Sequence, residues 1–287
     1  MSSSFFVISS GHDSFRDVNI RTLQIGDGHP LVLFAGPCVV ESRDLVMKTA
    51  SVIQDVAAKH GIGAVFKSSY AKANRTSAGS FTGIGMESAL KILQEVRKEF
   101  DMPVLTDIHT EGEASLAAEA ADVLQIPAFL CRQTALLQAA GRTGRVVNIK
   151  KGQFLAPEDM AYAAEKVVAT GNAGVILTER GATFGYHNLV VDMRSLVIMA
   201  RLGYPVVFDA THSVQLPGGE AGQSSGEPEF IFPLARAAVA AGCDGLFVEV
   251  HPDPSRALSD AASQLRLDRL DSLVGGCLAI DRVVKGL

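Results

Sequence analysis

The sequence is poor in the marks of several protein classes. It has four cysteines, Cys38, Cys131, Cys243 and Cys277. None are spaced as a CxxC pair and they are too sparse for a disulfide framework, so a reducing, cytoplasmic setting is expected. No basic cluster marks a nucleic-acid-binding face: the formal net charge is -5, with both signs spread along the chain. No apolar window approaches the roughly 20 residues of a membrane span. The start, Met1-Ser2-Ser3-Ser4-Phe5-Phe6-Val7, has no basic region of the kind that opens an export signal. Linkers and low-complexity stretches are also lacking. Nucleic acid and membrane are thereby excluded as expected partners. A net-acidic protein acting on an anionic ligand must then gather its Lys and Arg locally.

What is present is an alternation of two apolar patterns. Short β-branched runs occur at 31–35, 63–67, 103–106, 123–126, 146–149, 174–177, 205–208 and 245–248. Each is followed by a segment of helical period: 42–59, with Ser42 as N-cap, then 86–99, 111–120, 132–140, 157–169, 191–201, 233–241 and 265–285. The strands read as nearly continuous apolar runs, as parallel strands covered on both faces do. Eight βα units predict an α/β protein, a closed (β/α)8 TIM barrel, better than an open doubly wound sheet. The 287 residues are expected to form one domain. Within it, about 1–28 is an N-terminal extension in which Phe5-Phe6-Val7-Ile8 and Val18-Asn19-Ile20 form a β-hairpin that plugs the barrel bottom.

Barrel enzymes build their sites at the C-terminal ends of the strands. Here those ends carry Gly36-Pro37-Cys38, then Lys67 with Lys72, Asn74 and Arg75, then Asp107 and His109. They continue with Lys150-Lys151-Gly152-Gln153, Glu179-Arg180, Asp209-Ala210-Thr211-His212 and Glu249-Val250-His251. Lys67, Lys72, Arg75, Lys150 and Arg180 point into one mouth. With little carboxylate between them they repel one another unless an anion is bound, and a phosphate plus a carboxylate satisfies them. The hydroxyls and backbone N–H groups of Lys72-Ala73-Asn74-Arg75-Thr76-Ser77 suit a second phosphate.

A second constellation is Cys38, His212, Glu249 and Asp260. On a barrel the first strand neighbours the eighth and the eighth neighbours the seventh, so these residues converge. A mixed sulfur, nitrogen and oxygen set suits a borderline divalent ion, Zn, Fe, Mn or Co, better than Mg. On spacing alone His251 competes with His212, and Asp253 with Asp260.

These motifs resemble one family. The stretches Phe34–Ser42, Phe66-Lys67-Ser68-Ser69, Lys72–Ser77, Asp107-Ile108-His109, Asn148–Phe154, Glu179–Tyr186, Phe208–Ser213 and Glu249–Pro254 are similar, in this order, to the 3-deoxy-D-manno-octulosonate 8-phosphate synthases. The likeness runs from about Leu31 to the C-terminus. The related 3-deoxy-D-arabino-heptulosonate 7-phosphate synthases, which use erythrose 4-phosphate, are the alternative. Their second-strand loop typically reads Lys-Pro-Arg-Thr-Ser, one residue shorter than the loop here. The resemblance implies condensation of phosphoenolpyruvate with arabinose 5-phosphate in lipopolysaccharide synthesis, by a homotetramer. It implies Cys38, His212, Glu249 and Asp260 as metal ligands, since metal-independent members usually carry Asn in place of Cys38. It also implies phosphoenolpyruvate on Lys67, Lys72, Lys150, Arg180 and His212, and the sugar phosphate on Arg75 and Thr76. Ser69, Asn74, Asp107 and Gln153 are further substrate contacts. Lys72, His212 and Asp260 are the catalytic candidates, with Lys72 the proton donor, its pKa lowered by the cationic cluster. The glycine-rich loop from Gln215 to Gly226 is expected to close over the site.

Overall fold

The alternating apolar runs become strands, and the strands close into a ring. The computed structural model describes residues 17–26, 28–73, 81–218 and 225–287. It begins with an antiparallel pair, β1 (Val18–Ile20) and β2 (Leu23–Ile25), in which Val18 faces Ile25 and Ile20 faces Leu23. Then come β3 (Val32–Gly36), α1 (Arg43–His60), β4 (Ala64–Lys67), α2 (Met86–Glu99), β5 (Val104–Asp107) and α3 (Glu113–Ala120). They are followed by β6 (Val123–Ile126), α4 (Thr134–Arg142), β7 (Val146–Lys150), α5 (Met160–Val168), β8 (Val175–Glu179), α6 (Arg194–Ala200) and β9 (Val206–Asp209). A small antiparallel pair, β10 (Gln215–Leu216) and β11 (Ser225–Gly226), precedes α7 (Ile231–Ala240), β12 (Gly245–His251), β13 (Leu265–Arg266) and α8 (Leu270–Lys285). Strands β3 to β9 are parallel neighbours in sequence order, and β12 pairs with both β3 and β9, closing an eight-stranded (β/α)8 barrel.

Side chains alternate between two cores with the period of two that a strand imposes. In β3, Leu33 and Ala35 face the helices, whereas Val32 and Phe34 face the barrel interior. The interior set continues through Val65, Leu105, Val123, Val146, Ile176, Val207 and Phe247, and Val18, Ile20 and Ile25 of the hairpin pack against it. The hairpin therefore plugs the barrel as expected, but its second strand is Leu23–Ile25. Phe5–Ile8 lies outside the described residues.

The first helix begins where its cap residue predicts. The Ser42 hydroxyl accepts from Leu45 N, and Gly61, at φ 66°, ends the helix in the left-handed conformation that favours glycine. The last helix starts later than its apolar period suggests. Leu265 and Arg266 pair instead with Val250 and His251, and α8 begins only at Leu270. Among the described residues no helix is long and apolar enough to cross a membrane.

Candidate active site

The cations meet because the strands that carry them end at the same rim. Lys67 closes β4, Lys150 closes β7, and Arg180 follows β8. Together with Lys72, Asp107, Gln125 and His212 they line one cavity at the C-terminal face. Close approach of the chain to itself makes this possible. A Cβ on Gly36 would sit 1.9 Å from the Lys67 carbonyl oxygen, so only glycine lets the loop carrying Cys38 pass this close to β4. Phe247 stands between two of the lysines, its ring centroid 5.2 Å from Lys67 Nζ and 3.9 Å from Lys150 Nζ.

Carboxylates interleave these cations, contrary to the expectation of a nearly bare cluster. Lys67 Nζ donates to Glu249 Oε1 at 2.5 Å, and Lys150 Nζ to Asp209 Oδ2 at 2.5 Å. Lys72 Nζ lies 3.8 Å from Glu249 Oε1. Burial alone would raise the carboxyls of Glu249, Asp209 and Asp107. The neighbouring His212, Lys67, Lys72 and Lys150 outweigh it and hold all three below the usual carboxylate range. The effect on Lys72 is the reverse of the one expected from a cationic neighbourhood. Burial would lower its pKa, but Cys38, Glu249, Asp107 and Asp260 raise it, so Lys72 stays an ammonium. Lys150 is the lysine whose pKa falls, because burial is only partly offset by Asp209.

Asp107 is held from two sides. The Ser69 hydroxyl donates to its Oδ2 and Gln125 Nε2 to its Oδ1. Behind Gln125 the chain continues: Asn148 Nδ2 donates to Gln125 Oε1 at 2.9 Å, and the Thr178 hydroxyl to Asn148 Oδ1 at 2.7 Å. Arg180 Nη2 donates to the His212 carbonyl at 2.9 Å and to Gln215 Oε1 at 3.0 Å. Its buried Nε has no hydrogen-bond partner among the described residues.

Beside the cavity, ligand atoms of Cys38, Glu249 and Asp260 lie within 4.8 Å of one another. Cys38 Sγ donates to Asp260 Oδ2 at 3.0 Å. Burial, then the nearby Asp260 and Glu249, pushes the Cys38 thiol pKa up. Three acidic groups packed together in low dielectric call for a cation, and Glu249 Oε2 is buried without a hydrogen-bond partner. His212 adjoins this group rather than closing it: its Nε2 is 3.6 Å from Glu249 Oε1. Its Nδ1, 2.8 Å from Asp209 Oδ2, is set to donate there, which leaves Nε2 free as a ligand atom. The donor set therefore fits a borderline divalent ion. The rival residues point elsewhere: His251 Nδ1 accepts from Asp253 N, and Asp253 caps a short turn through Ser255.

Several residues of this site were not singled out from sequence. Asp209, marked in the sequence as a strand end but without a role, closes β9 and pairs with Lys150. Gln125 is a polar residue inside an apolar strand. Glu113 Oε2 accepts from Tyr70 Oη at 2.6 Å and His109 N at 2.7 Å, and nothing in its helical pattern signals this. Gln153 is buried but is not among the side chains lining the cavity. Asn74, Arg75 and Thr76, and residues 219–224 of the glycine-rich loop, lie outside the described residues.

Comparison with known proteins identifies the family. The DAHP synthetase I family matches residues 8–277. The 2-dehydro-3-deoxyphosphooctonate aldolase of Syntrophotalea carbinolica is 55% identical over 269 residues, 94% of this chain and 97% of its own. That of Geobacter sulfurreducens is 53% identical over 270 residues, 94% and 99% of the two chains. That of Brucella ovis is 53% identical over 270 residues, 94% and 98%. With lysines, arginine and carboxylates at one barrel mouth and likeness over nearly its whole length, the chain belongs to the DAHP synthetase I family and, within it, to the 2-dehydro-3-deoxyphosphooctonate aldolases.

Proposed function

We propose that this single-domain barrel condenses phosphoenolpyruvate with D-arabinose 5-phosphate and water, giving 3-deoxy-D-manno-octulosonate 8-phosphate and phosphate. The product supplies Kdo for lipopolysaccharide. The observation that carries this reading is the convergence of Lys67, Lys72, Lys150 and Arg180 on one cavity that also touches Asp107 and His212. Such a cavity neutralises a phosphate and a carboxylate on one small molecule. The relatives named above carry the name of this activity.

Phosphoenolpyruvate lies deep, its phosphate and carboxylate on Lys67, Lys150 and Arg180, whose buried Nε has no partner among the described residues. Arabinose 5-phosphate lies above, with Ser69, Asn74, Asp107 and Gln153 near the sugar and Arg75 and Thr76 on its phosphate. Carbon 3 of phosphoenolpyruvate attacks the aldehyde carbon and water adds at carbon 2. The resulting hemiketal phosphate loses phosphate by carbon–oxygen cleavage. Lys72, kept as an ammonium by its acidic neighbours, stands by to protonate the aldehyde oxygen. Asp209 holds the His212 ring so that one nitrogen faces Glu249. Cys38, His212, Glu249 and Asp260 hold a divalent ion, Zn, Fe, Mn or Co. When bound, it supplies positive charge that orients the aldose or activates the water.

A homotetramer accords with the exposed aromatic side chains Phe129, Phe154, Phe184 and Tyr186 on the loops after β6, β7 and β8. Four unpaired cysteines accord with a reducing cytoplasm. The test is to follow phosphoenolpyruvate consumption with arabinose 5-phosphate before and after chelation, then after adding back each divalent ion. The reading expects activity that disappears and returns with metal. Activity that survives verified metal removal would remove the ion from the reading but keep the reaction. Turnover with erythrose 4-phosphate in place of arabinose 5-phosphate would replace the reaction by that of the heptulosonate synthases.

A further inference from the structure

Asp260 has a backbone conformation that its surroundings must enforce. Its φ is 47°, in the left-handed region that few residues besides Gly, Asn and Asp enter. Two buried side chains outside the ligand set hold the segment that delivers it. Glu41 Oε1 accepts from Leu258 N at 3.0 Å. The other oxygen, Oε2, lies 3.7 Å from His251 Nε2, and these side chains are 8% and 5% exposed. His251 Nδ1 accepts from Asp253 N at 3.0 Å, so in the neutral ring the proton sits on Nε2, on the side of Glu41. That Nε2 has no hydrogen-bond partner among the described residues, which leaves Glu41 as its electrostatic complement. Glu41 follows Cys38 by three residues. One carboxylate therefore ties the loop that carries the thiol to the segment that carries Asp260.

We propose that Glu41 and His251 are positioning residues for the divalent-ion site. They fix the segment from 252 to 260 so that the Asp260 carboxylate faces Cys38 and Glu249. Neither touches the ion. The inference rests on the reading of Cys38, His212, Glu249 and Asp260 as its ligands. The brace acts at both ends of the segment: His251 holds Asp253 N at its start, and Glu41 holds Leu258 N two residues before Asp260. Beyond it, Gln264 Nε2 donates to the Ser259 carbonyl at 2.7 Å and Ser263 N to the Asp260 carbonyl at 3.1 Å. These downstream bonds shape the turn but do not connect it to the Cys38 loop. Apart from the Cys38 thiol itself, which donates to Ser259 Oγ and Asp260 Oδ2, Glu41 makes that hydrogen-bonded connection among the described residues.

The test is a cobalt(II) titration of the full chain, with affinity from competition against a chromogenic chelator. The thiolate-to-cobalt absorption band reports Cys38 directly and does not depend on turnover. Removing a group that orients metal ligands costs about 10–100-fold in affinity, and E41A is expected to show that loss with a weakened band. E41Q keeps an amide oxygen for Leu258 N and is expected to recover most of it. H251N keeps an acceptor for Asp253 N but loses the ring nitrogen facing Glu41; its affinity is expected to fall as well. It decides the matter if E41A does not fold by circular dichroism. Folded E41A and H251N with wild-type affinity and an unchanged band would overturn the proposal while leaving the metal site intact. A wild-type protein without the thiolate band, or C38A binding cobalt as tightly as wild type, would overturn the metal reading itself and the proposal with it.

Discussion

Lys67 Nζ meets Glu249 Oε1 at 2.5 Å, and each side chain is only 1% exposed. Breaking a buried pair by removing one partner leaves a charge without compensation and costs about 3–5 kcal/mol. K67M should approach the lower end, because Lys72 and His212 also face Glu249. Removing both charges in K67M/E249L should recover part of the loss. Urea denaturation of the two variants measures this, and equal midpoints for K67M and wild type would show that the pair is not coupled to folding.

Stability should fall on acidification, and Asp209 should be a main cause. Its carboxyl is held well below the ordinary value by His212 and Lys150, against the opposing effect of burial. A group with a depressed folded pKa contributes stability that is fully present above its unfolded value, about 3.9 for Asp. That contribution is lost as pH falls through the folded value. Wild type should therefore lose stability from about pH 4 downward. D209N should start less stable at neutral pH, because Lys150 is left buried without its partner, and should then lose less on acidification. Urea midpoints from neutral pH to pH 3 supply the comparison, and parallel curves would rule Asp209 out.

Arg180 should not tolerate lysine. Its guanidinium is anchored through Nη2 by the His212 carbonyl and Gln215, which leaves its other N–H groups for an anion. A lysine offers a point charge and no fork. Loss of one charge-assisted hydrogen bond is worth about 1.5–3 kcal/mol, or roughly 10- to 150-fold. R180K should raise KM for phosphoenolpyruvate by about that factor while its melting temperature stays close to wild type. An unchanged KM would place the anion elsewhere.

How much of this was readable beforehand follows from the range of each interaction. The barrel strands were legible to within about one residue at their starts, because β-branched runs and the Gly or Pro before them are local signals. Most of their ends were legible to within a residue as well, but β12 runs on to His251, since Glu249 and His251 remain in the ladder although polar. The residues 265–269 have the apolar spacing of a helix, yet Leu265 pairs with Val250 across a loop. The cations were legible as strand-end residues, but their partners were not. Glu249 is 182 residues from Lys67, and a carboxylate at that distance belongs to the pattern only once the ring is closed. The same omission reversed the expected shift of Lys72.

The buried chain of amides beneath the cavity offers the last test. Ionised Asp107 only accepts, so Gln125 must turn its NH2 towards it. Gln125 Oε1 then accepts from Asn148, and Asn148 Oδ1 from the Thr178 hydroxyl. Every link points towards Asp107 because its charge fixes the orientation of each group in turn. Thr178 is fully buried, and valine matches its shape while lacking the hydroxyl. T178V should cost about 1–3 kcal/mol, the penalty for leaving Asn148 Oδ1 unpaired, whereas T178S should lose less because it keeps the donor. Urea denaturation orders the three proteins. Equal losses in T178V and T178S would mean that the methyl group, not the hydroxyl, matters at this position. A loss confined to T178V would show that the chain of donors ending on Asp107 is anchored three strands away, since Asp107 ends β5 and Thr178 lies in β8.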